Sequence, residues 1–397
     1  MNIQAITTYA RKHVFESARF YYWLILFLII FSFFKGVFNK WGYVHTSIGN
    51  EIEALKIISG CLYATVYFCL ICSAIFLYKL LEKKVFLYWL IIVVISVAHE
   101  LNYATRSSDY NLFYSLTNSQ GYFYLKFTLP LLFFGVWPAL KANLLYVGKL
   151  LDMIAFLLKI NACFIILGAL MNLSIMESYP MSGRWGYSGL LYHKSLNNIL
   201  YGIFLIRHWS SNERNFITTA LYITSLLLLG QKAAFLYLLL FVSLVIIKNK
   251  TLRILLVGGA GGGLALASYW VPFLVKLNPF WLNVYEKHGS LGVILSLRNE
   301  NVSRIFESAG NLDFISIIFG GISRYPNVIE MFPFDLFIYF GGVGVILSLM
   351  FYTFWAPNIK IWIPVFVSIF SGVLYELIIG MIILGLWREE ESSLNKD

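Results

Sequence analysis

The side chains in this sequence that could do chemistry are cations and a few carboxylates set beside long apolar runs. A charge at such a place costs several kcal/mol unless it lines a wet cavity or finds a partner, so each one is a candidate. The first group is Met181-Ser182-Gly183-Arg184-Trp185-Gly186-Tyr187-Ser188-Gly189, followed by His193, Lys194 and Asn197-Asn198. Arg184 is a planar, permanently charged fork that suits phosphate or carboxylate. The plainer alternative is an arginine snorkelling to a membrane interface. His193 can act as a base or hydrogen-bond a sugar, or it can be an interfacial histidine satisfied by its neighbours. The second group is Gly230-Gln231-Lys232, a tight turn between two apolar stretches. Solubility does not require a lysine there; holding an anion would, and snorkelling is the alternative.

Three further groups lie downstream. Arg298, Glu300, Arg304 and Glu307 fall in Ser296–Arg304 and just beyond; Arg298 and Arg304 are six apart and sit on different faces of a straight helix. Either could form an ordinary surface ion pair with a glutamate, which is worth little. Arg324 lies in Phe319-Gly320-Gly321-Ile322-Ser323-Arg324-Tyr325-Pro326-Asn327. Glu330 and Asp335 follow among apolar neighbours, where burial should raise a carboxyl's pKa and suit it to general-base work. Asp335 can equally be a helix N-terminal cap. His99, Glu100 and Asp109 form a looser set. There is no HExxH, GxSxG or DxD pair, so neither a metal site nor a cofactor is expected.

The elements that must position these groups are membrane spans. Of the 397 residues 59% are hydrophobic and only 13% charged, and mean hydropathy is +0.74. That is too few charges to cover a soluble protein of this size. The reading is an all-α polytopic integral membrane protein, one transmembrane domain over 1–397, with about eleven or twelve spans. They fall at 20–38, 58–78, 85–104, 122–140, 151–172, 187–206, 215–230, 233–247, 252–275 and 335–356. The run 357–387 is either one tilted helix or two short ones bent near Ser371-Gly372. Residues 1–19 precede an uncleaved first span. The net charge of +10 sits in short clusters between spans. That excludes nucleic acid as a partner and places the N-terminus in the cytoplasm. Span parity then places the long segment 276–334, between spans 252–275 and 335–356, outside. It is too rich in aromatic and branched residues for disorder and should form short helices. The four cysteines lie in apolar runs and read as small buried hydrophobes. Gly258-Gly259-Ala260-Gly261-Gly262-Gly263 lacks phosphate-loop spacing and reads as a close helix–helix contact.

Three segments resemble the Wzy-type O-antigen polymerases, within the O-antigen ligase and polymerase superfamily. Leu226–Ala234 resembles the family's LLLTGSRGA turn, with Lys232 where arginine is usual. Ser303-Arg304-Ile305-Phe306 through Phe319-Gly320-Gly321 is similar to the loop helix ending in LFGxG. Val328–Leu336 through Tyr339–Gly344 is similar to the polymerases' xEMDxxDxxxxYGxxG, with Phe332 where an acidic residue is common. No histidine lies in 328–335, where the ligase branch generally has one.

The resemblance implies a metal-independent glycosyltransferase of the bacterial inner membrane with a periplasmic active face. It would move a growing glycan from undecaprenyl pyrophosphate onto a lipid-linked repeat unit, with membrane lipid and a chain-length regulator as partners. Arg184, Lys232, Arg298, Arg304 or Arg324 would meet the leaving pyrophosphate's charge, Asp335 would help bind substrate, and Glu330, or else His193, would be the base. The alternatives are an O-antigen ligase of lipopolysaccharide and, in another class, a polysaccharide flippase or transporter. A transporter should carry midplane charges and paired broken helices, whereas these charges gather at one face.

Overall fold

Apolar runs this long leave the backbone no polar partner but itself, so helix is the expected outcome. The structure, a computed structural model, describes residues 19–32, 34–38, 53–76, 81–106, 119–140, 144–179, 184–190, 194–211, 214–308, 314–320, 329, 331–356, 358–371 and 378–394. The described residues are nearly all helical, with a single isolated bridge, Glu177 to Tyr187, and no strand.

In chain order the helices are α1 (Arg19–Phe38), α2 (Glu53–Phe76), α3 (Lys83–Arg106), α4 (Ser119–Leu140), α5 (Leu144–Met171), α6 (Lys194–Ser210), α7 (Phe216–Leu228) and α8 (Lys232–Leu240). They continue with α9 (Lys250–Ala265), α10 (Ala267–Val275), α11 (Pro279–Leu295), α12 (Arg298–Ser308), α13 (Phe314–Phe319), α14 (Phe332–Trp355), α15 (Ile359–Ser371) and α16 (Ile378–Leu394). Three described stretches are long and apolar enough to cross a membrane: Arg19–Phe38, Tyr146–Met171 and Pro333–Trp355. A fourth is Lys250–Gly263 with Ala267–Val275, if that pair, bent by 71°, is one span. Large apolar side chains lie exposed along several helices, Leu170 at 78% and Phe216 at 86% among them, as lipid-facing side chains would.

Three sequence expectations need correction. The span placed at 187–206 does not begin at Tyr187: residues 184–190 are irregular and α6 starts at Lys194. Tyr187 and Ser188 are apolar-run residues that are buried, so hydropathy alone could not tell a buried loop from a span. The span 252–275 is broken at Leu266 rather than straight. The glycines 258, 259, 261, 262 and 263 have open space around them, so they make no close helix contact among the described residues. The run 357–387 divides as its two-helix alternative requires, α15 ending at Ser371 and α16 running on to Leu394.

Contacts gather into two units. One comprises Met1–Leu158, Gly342–Pro357 and Tyr375–Asp397. Its α4 packs on α2, α3 and α16, around rings such as Phe134 and Trp355, 4.7 Å apart. The other comprises Lys159–Gly341 and Asn358–Leu374. In it α7 packs on α6, and α15 on α6 and α8. Here the segment 276–334 carries α11, α12 and α13. Val284 and Val293 of α11 bury against Ala267, Val271 and Val275 of α10. Val302 and Phe306 of α12 pack near the start of α14, with Phe306 stacked on Phe337 at 6.1 Å.

Candidate functional site

The second unit draws together two of the cation groups, and it does so through backbone contact. Tyr187 N donates to Leu228 O at 2.7 Å, and Ser178 N to Gly186 O at 2.8 Å. These bonds lay Trp185-Gly186 directly on the Leu229-Gly230 turn. A Cβ on Gly230 would strike Trp185 O, and one on Gly186 would strike Leu229 O. Both glycines also have positive φ, +148° at Gly186 and +67° at Gly230, which other residues rarely adopt. The approach therefore needs glycine on both sides, and it brings Arg184 beside Lys232.

The loop is held from below by Asn161, which is fully buried in α5. Its Nδ2 donates to Ser188 O, Asn197 Oδ1 and Tyr201 OH at 3.2–3.3 Å, and its Oδ1 accepts from Leu190 N at 2.6 Å. Irregular backbone in a buried place survives only where protein satisfies its polar groups. Asn161 does so here.

An aromatic floor comes from α11. Asn278 caps the helix, accepting from Phe280 N at 2.9 Å and Trp281 N at 3.3 Å, with Pro279 in the first turn. The Arg184 guanidinium lies 3.9 Å from the Tyr179 ring centre, 4.8 Å from Trp281 and 5.4 Å from Phe280. The Lys232 ammonium lies 4.0 Å from Trp281. Two cations thus share one indole, each favoured by its π face and each disfavoured by the other. Lys232 also hydrogen-bonds Val293 O, Ile294 O at 3.3 Å and Ser296 Oγ at 2.9 Å. These acceptors lie at the C-terminus of α11, where the helix dipole favours a cation. They match the three N–H groups an ammonium has. In this pose Lys232 clamps the α11 end, and an incoming anion would meet its charge rather than a vacant N–H.

Although Lys232 as a residue is exposed, its ammonium is enclosed by the Trp281 ring and these carbonyls. Burial first, then the charges of Arg184 and Arg298, draw its pKa down to about 7. Arg298 therefore belongs to the same cluster; its Nη1 donates to Leu295 O at 3.5 Å. The corner joining α11 to α12 is strained, with Ser296 at φ 55° and Leu297 at φ 66°, a conformation costly for a leucine.

The remaining sequence candidates fall elsewhere. Arg304 is exposed, its Nη2 3.5 Å from Glu300 Oε2, one turn back on α12. Asp335 is buried, and its Oδ1 accepts from Ile329 N at 2.7 Å, tying the approach to α14. His193, Arg324 and Glu330 lie outside the described residues, as does Asp109.

One residue the sequence reading did not nominate, His288, meets Glu300, read from sequence only as a surface ion-pair partner, at the same corner. His288 Nδ1 contacts Glu300 Oε1, with the two side chains 28% and 23% exposed. No motif marks them; the only signal was a histidine in the long segment 276–334, twelve residues before a glutamate. The first unit has a cavity of its own, about 210 Å³, lined by Glu82, Lys84, Trp355, Arg388 and Glu389 among others. None of the sequence candidates lines it. Comparison with protein-family models, curated proteins and solved structures finds no match to this chain.

Proposed function

We propose that this chain is a polymerase of lipid-linked oligosaccharide units: an inner-membrane glycosyltransferase of the O-antigen polymerase type. In this reading the membrane is crossed about eleven or twelve times, with 276–334 facing the periplasm. The reading rests on one observation, the convergence of Arg184, Lys232 and Arg298 on the corner floored by Trp281. Three like charges gathered in a partly desolvated place make a field that favours an anion. A pyrophosphate leaving group, anchored in lipid by its polyprenyl tail, supplies that charge and gains from it as the glycosidic bond breaks. The aromatic floor suits the apolar faces of sugars as well as the cations. Arg304, Arg324 and Asp335 remain secondary candidates for binding. Glu330 and His193 remain the bases that the sequence nominates.

The test has two arms. Deletion should leave lipid A-core carrying at most one repeat unit, whereas loss of every attached unit indicates the ligase and unchanged polymer a different function. Purified protein in nanodiscs should bind inorganic pyrophosphate, and Arg184→Ala or Arg298→Ala should weaken binding roughly 10- to 100-fold, as loss of a charge-assisted hydrogen bond would.

A further inference from the structure

We propose that His288 is the catalytic base of this site, oriented by Glu300 and braced by Arg304. The inference rests on the polymerase reading and adds the group that accepts the proton.

The geometry is that of a relay. Helix α11 breaks at Gly289 (φ 65°, ψ −170°), directly after His288. The Ser296-Leu297 corner then turns the chain into α12, whose first turn carries Glu300. These two bends bring His288 Nδ1 to Glu300 Oε1, while Arg304 Nη2 holds Oε2 at 3.5 Å. A ring nitrogen bonded to a carboxylate carries the proton, which leaves Nε2 as the atom with the lone pair. Among the described residues nothing bonds Nε2. The pair is partly shielded rather than fully solvated, so the carboxylate can fix the ring and stabilise the imidazolium that forms on proton uptake.

An ordinary surface ion pair would stop at Glu300 and Arg304, one helical turn apart, and would be worth a few tenths of a kcal/mol. It has no need of an imidazole brought from another helix. The location adds to this, because the corner that aligns His288 with Glu300 is the one whose carbonyls hold Lys232 and whose next residue is Arg298.

The step balances without a metal or a second reagent. The acceptor sugar's hydroxyl oxygen attacks the anomeric carbon of the donor glycan, and its proton passes to His288 Nε2. The bond from that carbon to the pyrophosphate oxygen breaks, and its electron pair leaves with the pyrophosphate, beside Arg184, Lys232 and Arg298. The imidazolium then releases its proton to water.

The test uses the full chain as the sole copy in its host. Polymer ladders, membrane protein levels and binding of inorganic pyrophosphate in nanodiscs are measured for each variant. His288→Ala should abolish the ladder at wild-type protein level, keep pyrophosphate binding, and regain part of the ladder when imidazole is added. Glu300→Gln should cut polymer at least tenfold, and Glu300→Asp should restore part of it. A wild-type ladder in His288→Ala overturns the proposal. So does a loss that imidazole does not rescue, since it assigns His288 to structure. Failure of the wild-type chain both to support a ladder and to bind pyrophosphate overturns the polymerase reading instead.

Discussion

The Lys232 ammonium lies 4.0 Å from the centre of the Trp281 ring while it also hydrogen-bonds Val293 O. Trp281 and Val293 are twelve residues apart, about 18 Å along a straight helix. One lysine reaches both because α11 is kinked at Gly289. Lys232 is therefore the clasp of the corner as well as a charge within it.

Lys232→Ala should open that clasp. The carbonyls of Val293 and Ile294 lose their partner, at about 1–3 kcal/mol. Amide exchange across 292–297 should quicken about tenfold or more by mass spectrometry, with α6 and α7 unchanged. Equal protection in variant and wild type would mean that the clasp carries no load.

The same lysine sets a pH dependence. Its folded pKa of about 7 lies below its ordinary 10.5, so between those values the unfolded chain binds more protons than the folded one. Stability should then rise with pH across that window. The melting-temperature difference, wild type minus Lys232→Met, should be larger at pH 9.5 than at pH 6.5. A flat or falling difference would contradict the burial of the ammonium.

Gly230→Ala places a methyl group against Trp185 O at a φ of +67°, costing about 1–3 kcal/mol from conformation alone. Gly261→Ala lies in a helix with open space around it and should gain up to about 1 kcal/mol from helix propensity. Thermal unfolding in detergent should move in opposite directions for the two.

Asn161→Leu removes the amide that serves Ser188 O and Leu190 N. A loss of about 1–3 kcal/mol is expected, with the 184–190 loop newly open to protease. Asn161→Gln, one methylene longer in a tight site, should not rescue it. Unchanged protease resistance would show that the loop is held by other means.

Topology is open to direct measurement. In a cysteine-free background, Ser303→Cys on exposed α12 should label with an impermeant thiol reagent in intact spheroplasts. Labelling only after lysis would place this helix in the cytoplasm and end the periplasmic reading.

Hydropathy located the helices well because apolar composition is a property of each run by itself. Most runs placed from sequence overlap helices, although among the described residues only three stretches, or four with the bent pair, are long and apolar enough to cross a membrane, and α11–α13 fall inside the segment expected to fold. Arg184 and Lys232 could be singled out because charge beside an apolar run is itself unusual. Their meeting was not legible, since it depends on two glycines 44 residues apart whose backbones touch. The His288–Glu300 contact was hidden for a related reason. It needs a break at Gly289 and a left-handed corner at Ser296-Leu297, and Leu297 gives no local hint of that conformation. Tyr187 and Ser188 misled because a loop buried by protein carries the same composition as a span buried by lipid.

The backbone contact between Gly186 and Gly230 has a consequence for selectivity. With no side chain between the two segments, main-chain contact sets the separation of the Arg184 and Lys232 backbones, and both charged heads lie against the Trp281 ring. Under the proposed function the pair would act as a gauge, and an anion would have to match its span. Discrimination at such a place would be by length, a bridging diphosphate being favoured over a single phosphate that satisfies only one end.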